Sequence, residues 1–520
     1  MVEFDRLNDD VLVYLLGLIL QADESSSRVA LVPLSSTCRW LRDLSKPFIF
    51  RKIHRTIGIA PPTPQFFLPP SLWSYVHPPS HIPHLYVCGV FIGPVIKHIL
   101  QQMPSLTKIS LRTNIGVVHG PYWTFLQFAL SLPRLREFEM TGLTFCPVVL
   151  PTETLEFDDG ACAPLTAFRY EAVLSRGRKY ALSVEKDALA LVLEKIHHTL
   201  VTLTLPSEPA PISLLSLCEW PNLRELKLRG MRWAEPRTPL ILLFANMPKL
   251  RSLALELVVP DDAAPEAIWP PGLPPDTAFP WPELEELTIA NPDPDDELFA
   301  HLPPCIRALA LPSRPRRCVK EWLWKYERRY HLFPHTFHLM TASNLLGVLE
   351  RCSASGLKRL EIEYGADERE RDLLRYLATA FQDLSSLTLY RYRGSEETVV
   401  RVEDIVHPLA PLTRLQTLCL NLDLETRPAR TFSGGHRGGV DLYAADALDQ
   451  FSETLEDVAL VLARSLTPSL QRLSLWMPSN RGGPVSTNFS VFRDGSGKEG
   501  GPRIRREAFT CHEREDVWGI

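Results

Sequence analysis

Along most of the chain, apolar and polar residues alternate in one recurring phrase, L-x-x-L-x-L. Its first positions are Ile82, Leu106, Leu135, Leu165, Leu200, Leu223, Leu250, Leu284, Ile306, Leu357, Leu384, Leu415 and Leu470. Clear copies are L-R-E-L-K-L from Leu223, L-R-S-L-A-L from Leu250 and L-Q-R-L-S-L from Leu470. Successive copies are 22 to 35 residues apart, except for intervals of 51 and 55 residues before Leu357 and Leu470. The last two apolar positions alternate with period two and predict a short strand with one buried face. Between strands, Asp187 to Leu200, Asp367 to Phe381 and Ala445 to Leu466 have the spacing of amphipathic helices.

The prolines separate this repeat from chance. Seven copies carry proline two residues ahead of the first apolar position: Pro104, Pro133, Pro221, Pro248, Pro282, Pro304 and Pro468. Apolar residues precede several of them, as at Met103, Leu132, Trp220, Met247 and Trp281. Proline has no N–H and biases its predecessor away from helix, so the phrase predicts a turn leading into a strand. Strand plus helix at this period is the signature of a leucine-rich-repeat solenoid, with parallel strands on one side and helices on the other. The asparagine usual in such repeats occurs only at Asn114, so the array is expected to be irregular.

The first sixty residues have a different pattern. Asn8 is suited to cap a helix, with Asp9 and Asp10 in its first turn and Val11, Leu12, Leu15, Leu18 and Ile19 on one face. A second apolar piece spans Val29 to Leu34, and a third helix carries Leu34, Cys38, Leu41 and Leu44 before Pro47 ends it. A core of this size is too small to be comfortable alone. Its apolar residues must be covered by the rest of the chain or by another protein.

The segment L-N-D-D-V-L-V-Y-L-L-G-L-I, then A-L-V-P-L-S-S-T-C-R-W-L-R-D-L, then P-F-I-F, resembles an F-box over about residues 4 to 56. That family reads L-P-x-E-[IV]-L-x-x-I, an apolar pair, V-C-[KR]-x-W and an apolar end. Here Asn8 replaces the usual proline, and the polar loop after the first helix is a few residues longer. The resemblance implies docking to the Skp adaptor, and through it to a cullin, in an SCF-type ubiquitin ligase. Carried over by position, the adaptor contacts would be Leu7, Val11, Leu15, Leu31, Leu34, Cys38 and Leu41. An F-box followed by leucine-rich repeats resembles the F-box proteins of fungal type.

Four segments are therefore expected: an F-box at 1–56, a Pro-rich linker at 57–81, an α/β solenoid at 82–477 and a poorly ordered tail at 478–520. The 46 prolines of the 520-residue chain gain an address, since eight lie between Ala60 and Pro83. With 45% hydrophobic and 22% charged residues, the chain can build a large core. A net charge of −5 argues against coating nucleic acid or anionic membrane. The longest apolar run, Val11 to Leu20, is about half a bilayer span, and acidic residues precede it. The ten cysteines are dispersed without a C-x-x-C pair and read as reduced thiols. A cytoplasmic or nuclear location follows.

Between the last two apolar positions of each copy lies a residue expected on the open strand face. That column runs Tyr86, Ser110, Glu139, Arg169, Thr204, Lys227, Ala254, Thr288, Ala310, Glu361, Thr388, Cys419 and Ser474. It has no basic stripe or stacking platform for nucleic acid, and it suits a protein partner. The first long interval carries a basic aromatic stretch, Arg314 to Tyr330, read as a packed convex helix with a solvated basic face or, alternatively, as a helix for a partner or an anionic surface. The second holds S-G-G-H-R-G-G from Ser433, read as a flexible loop. His331, His335 and His338 with Cys318 and Cys352 lack any zinc spacing. His197 and His198 read as an exposed helix end, and Gly495 to Gly500 lacks a complete phosphate-loop pattern. Neither catalytic residues, a cofactor nor a metal is expected. The expected role is a substrate receptor that contributes proximity while its ligase partners do the chemistry. The competing readings are a leucine-rich scaffold outside any ligase and an enzyme with an unrecognised site.

Overall fold

The computed structural model describes most of residues 84–313 and 339–507, the strand at 52–57, and the single residues Leu41 and Arg316. The three-helix segment apart from Leu41, the Pro-rich linker, residues 317–338, the loop from Ser433 and the ends of the C-terminal tail lie outside the described residues. The chain divides into two units, Met1–Leu214 and Leu215–Ile520.

The fold is α/β, built on open and mostly parallel sheet in which neighbouring strands follow chain order. In the first unit these are β1 (Lys52–Ile57), β2 (His84–Gly89), β3 (Lys108–Arg112), β4 (Glu137–Thr141), β5 (Ala167–Glu171) and β6 (Thr202–Pro206). Each pairs in parallel with the next. Helices α1 (Gly93–Gln101), α2 (Trp123–Leu130) and α3 (Leu182–Ile196) intervene, and α1 packs on α2. A short helix, α4 (Ile212–Leu217), carries the boundary between the units.

In the second unit, parallel pairing joins β7 (Glu225–Met231), β8 (Ser252–Val258), β9 (Glu286–Ile289), β10 (Ala308–Leu311), β11 (Arg359–Gly365), β12 (Ser386–Tyr392), β13 (Thr417–Asn421) and β14 (Arg472–Met477). The helices are α5 (Leu240–Leu243), α6 (Ala342–Arg351), α7 (Glu370–Ala380), α8 (Val402–Val406) and α9 (Ala445–Ser465). Of these, α6 packs on α7, α7 on α8 and α8 on α9.

The apolar phrase sets both halves of each repeat. Its second and third positions alternate inward along the strand, as in the buried Leu226 and Leu228, Leu253 and Leu255, and Leu387 and Leu389. Its first position closes a turn with an i to i+3 hydrogen bond. Leu106 N–H donates to Met103 O, Leu223 to Trp220, Leu250 to Met247, Leu284 to Trp281 and Leu415 to Leu412. Proline, where present, is the second residue of that turn, where its fixed φ is already correct. The apolar residue before it enters the core, as do Met103, Trp220, Met247 and Trp281. Two indoles also tie down backbone: Trp281 Nε1 donates to Phe244 O at 2.9 Å and Trp220 Nε1 to Leu215 O at 3.1 Å.

The two residues after the first leucine set the register. Both donate their backbone N–H to one carbonyl of the preceding repeat. Arg251 and Ser252 donate to Arg224 O, both at 2.8 Å, and Glu285 and Glu286 donate to Arg251 O at 2.8 and 2.9 Å. The pattern continues to Gln471 and Arg472 on Gln416 O, at 2.9 and 3.0 Å, across the 55-residue interval. In the first unit Arg136 and Glu137 share Thr107 O in the same way. An aromatic cluster fills that unit's core, with Phe138 stacked on Phe168 and Phe145 packed against Phe168 and Tyr170. Gly142 has a φ of +76°, and a Cβ there would lie 2.4 Å from Thr113 O, so only glycine fits.

The structure differs from the sequence reading at both ends. The sheet begins with β1, Lys52–Ile57, within the segment assigned to the F-box and linker. The tail assigned to 478–520 as poorly ordered contains β15 (Val485–Phe492), antiparallel to β14, and β16 (Arg503–Arg506), antiparallel to β15. Val-Ser-Thr-Asn-Phe-Ser-Val-Phe alternates well enough for a strand but lacks the L-x-x-L-x-L phrase. Helix α3 starts earlier than expected, at Leu182, while α7 and α9 fall within the expected ranges.

Truncation should weigh differently on the two parts of the phrase. Leu253→Ala is expected to cost about 2–5 kcal/mol of unfolding free energy. Pro248→Ala should cost less than about 1 kcal/mol, through freedom gained by the unfolded chain. Urea unfolding of both variants measures the difference. Asp367 supplies a pH-dependent contribution. Burial opposes its ionisation, but hydrogen bonds from the Ser343 and Arg369 N–H groups, both at 3.0 Å, and from the side chains of Ser343 and Thr341 hold its pKa below the usual value. The stability of the native protein over Asp367→Asn should be full above about pH 4 and vanish as pH falls through that lowered value. Paired thermal melts across that range measure it.

Candidate interaction face of the parallel strands

The expected column is a structural row. In the first unit Tyr86, Ser110, Glu139, Arg169 and Thr204 are register partners in turn. In the second unit Lys227, Ala254, Thr288, Ala310, Glu361, Thr388, Cys419 and Ser474 are likewise aligned. Most are half-buried, while Ser110 and Thr204 are buried. The charges of this face largely pair with one another. Lys108 bridges Glu137 at 3.0 Å and Glu139 at 3.3 Å, and Arg169 also meets Glu137 at 3.5 Å. Lys227 and Arg229 converge on Glu256, both at 2.8 Å, and Arg359 pairs with Glu286. Between them Ala254, Thr288 and Ala310 leave a shallow neutral strip.

Toward β14 the face becomes aromatic. Tyr390 lies 5.5 Å from Trp476 between ring centroids, and the Trp476 indole N–H donates to Cys419 Sγ at 3.2 Å. Arg316 sits with its guanidinium 4.4 Å from the Tyr390 ring centre and pairs with Glu361. Arg316, the third residue of the basic aromatic stretch, is thus held over the strand face. The expected convex placement of that stretch does not hold for Arg316; residues 317–330 lie outside the described residues.

Behind this corner the even-numbered residues of β12 face outward and Arg391 points toward the helices. Arg391 is only 3% exposed at its side chain. Its Nε meets Glu370 Oε1 at 2.7 Å, and its Nη2 meets Glu370 Oε2 at 2.9 Å and Glu397 Oε2 at 2.6 Å. The Tyr364 hydroxyl donates to Glu370 at 3.1 Å; burial, then the Glu370 charge, raises its pKa well above the usual phenol value. On the open side Glu363, 2% exposed, accepts from the Tyr392 hydroxyl at 2.9 Å and the Ser313 N–H at 3.0 Å. Both clusters fasten connections to strand ends: Arg391 locks the stretch after β12, and Glu363 locks the start of the long interval after β10. The short spacings Glu370 to Arg391 and Arg391 to Glu397 match no known motif. A buried arginine could be read from sequence only as an interruption of the apolar phrase.

Of the residues carried over by the F-box resemblance, only Leu41 is described; it is helical and 8% exposed, so this chain itself covers it. Leu7, Val11, Leu15, Leu31, Leu34 and Cys38 lie outside the described residues, as do Cys318, His331, His335 and His338. Cys352 is buried, which pushes its thiol pKa up, and Cys162 is likewise pushed up to about 11 by burial. The His197 and His198 rings lie against each other at a tilt of 41° just past the C-terminal end of α3, with ring centroids 3.8 Å apart. Among the described residues there is no cluster of metal-ligating side chains, no disulfide, and no helix long and apolar enough to cross a membrane.

No family model matches the chain, and no curated protein matches it. The strand face and the corner around Tyr390 therefore stand on their own geometry.

Removing Arg391 leaves two carboxylates against a buried surface. Arg391→Met is expected to cost about 3–5 kcal/mol in denaturant unfolding. Arg251→Met, whose bridge to Glu283 is exposed, should cost less than about 1 kcal/mol.

Proposed function

We propose that this protein is a substrate-receptor subunit of an SCF-type ubiquitin ligase. In this reading residues 4–56 form an F-box that docks on the Skp adaptor and through it on a cullin. The strands that follow are divergent leucine-rich repeats, whose open face takes a protein substrate. The observation that carries the reading is the combination of two patterns in one chain. An L-N-D-D-V-L and C-R-W-L-R segment stands directly ahead of parallel strands that follow chain order at L-x-x-L-x-L phrases. The half-buried row with its paired charges suits a folded protein partner, since few groups on it demand a small ligand. The protein would act in the cytoplasm or nucleus, holding a substrate near a conjugating enzyme supplied by its partners.

The burial of Leu41 sharpens the choice of test, because its replacement by a charge would disturb this chain's own packing. Leu15 and Leu34 are the positions to use. Wild-type chain is expected to co-purify with recombinant Skp adaptor, and Leu15→Asp with Leu34→Asp should weaken that complex on the order of 100-fold. The double variant must keep the wild-type melting midpoint. A wild-type chain that does not bind the adaptor, or a folded double variant that binds equally well, would leave a leucine-rich scaffold outside any ligase.

A further inference from the structure

The second unit ends in a way that the repeat does not require. Strands β8 to β15 each have a strand neighbour on both sides, whereas β16 pairs with β15 alone among the described residues. Its sequence is Arg-Ile-Arg-Arg, three positive charges in four residues of a chain whose net charge is −5. The backbone shows which groups face outward. Glu507 N–H donates to Asn488 O at 2.9 Å, toward β15. Alternate residues of a strand share a direction, so the N–H and C=O groups of Ile504 and Arg506 face away from the sheet.

The side chains divide between two faces. Arg506 lies on the helix side, where Nη1 donates to Ser452 Oγ at 2.6 Å and meets Glu456 at 3.3 Å, both on α9. Arg503 and Arg505 lie on the strand face. The register sets Arg505 opposite Ser490, and Ser490 opposite Arg472, giving an Arg–Ser–Arg row across three strands. Arg472 and Arg505 are exposed, and neither side chain has a hydrogen bond or ion pair among the described residues. Elsewhere the face pairs its cations, as with Lys108, Arg169, Lys227, Arg229 and Arg359, whereas the carboxylate beside this row, Glu507, accepts from Ser490 Oγ and is not bonded to Arg472 or Arg505. Phe492, opposite Arg503, is 48% exposed and adds apolar area beside the row.

The geometry points to β16 as a docking edge for an extended acidic segment of a partner protein, added as the next strand. Such a segment would bond the outward backbone groups of Ile504 and Arg506. Carboxylates at alternate positions would fall on one face and meet Arg503 and Arg505. Charge selects this occupant over a second copy of the chain, because two such edges laid together would set arginine against arginine. The inference does not depend on the ligase reading, since neither the adaptor nor residues 4–56 take part.

The test uses purified full-length chain and fluorescein-labelled heptapeptides followed by anisotropy. One peptide alternates glutamate with valine, a second has the same composition with its glutamates in a block, and a third alternates lysine with valine. The alternating acidic peptide is expected to bind, about tenfold more tightly than the block peptide, and to weaken with added salt. Arg503→Glu with Arg505→Glu should weaken it at least about tenfold while leaving the melting midpoint in place. N-methylation of alternate peptide amides, which leaves the protein untouched, should abolish binding. Equal binding of the block peptide, of the lysine peptide or of the N-methylated peptide would overturn strand addition at this edge. So would sedimentation of the wild-type chain as a dimer that the double charge reversal dissociates.

Discussion

In most of the repeats one carbonyl accepts two backbone N–H groups from the repeat that follows it. The donors are the two residues after the first leucine, as Arg251 and Ser252 are for Arg224 O. A slip of one residue would break both bonds and would turn every leucine of that strand away from the helices. Register, burial and chain order are therefore specified together by a six-residue phrase. The turn before it serves the same end, because the i to i+3 bond aims the strand and the preceding apolar residue anchors the turn in the core.

What the ladder leaves free is the open face. Positions between the leucines carry no burden in the core, so their chemistry can vary from Ala254 to Lys227 to Glu361 without disturbing the stack. Most charges there are already paired, which lowers the cost of covering them with a protein because fewer bare ions lose water. The corner around Tyr390 differs, because Arg316 approaches it from the long interval after β10 and joins Glu361 to the Tyr390 ring. An interval that looks like an interruption in the sequence thus begins by contributing to the face.

The strands were the legible part of this sequence because each repeats a signal that neighbours reinforce. From β2 to β14 every strand sits on an L-x-x-L-x-L phrase, and the outward row matches the expected column residue for residue. The strands that escaped, β1, β15 and β16, lie at the ends, where the phrase is absent. Arg-Ile-Arg-Arg has almost no apolar content, so its place in the sheet comes only from pairing with β15. The Arg391 cluster was also hidden. Its partners Glu370 and Glu397 are ordinary surface residues in sequence, and only the fold carries them to a buried guanidinium. Of the seven residues drawn from the F-box resemblance, Leu41 alone can be placed, and it is covered by its own chain.

The interval of 55 residues before Leu470 has a kinetic side. Forming each rung closes a loop whose length is the interval between phrases, and the entropic cost rises with the logarithm of that length. Doubling a loop from the common spacing to this one adds only about 0.6 kcal/mol, so the long interval hardly strains the native state. It does make the steps that seat β11 and β14 the two longest loop closures of the second unit. The antiparallel pair β15 and β16 joins the sheet only through β14. Seating β14 therefore also fixes the place of the two C-terminal strands in the sheet.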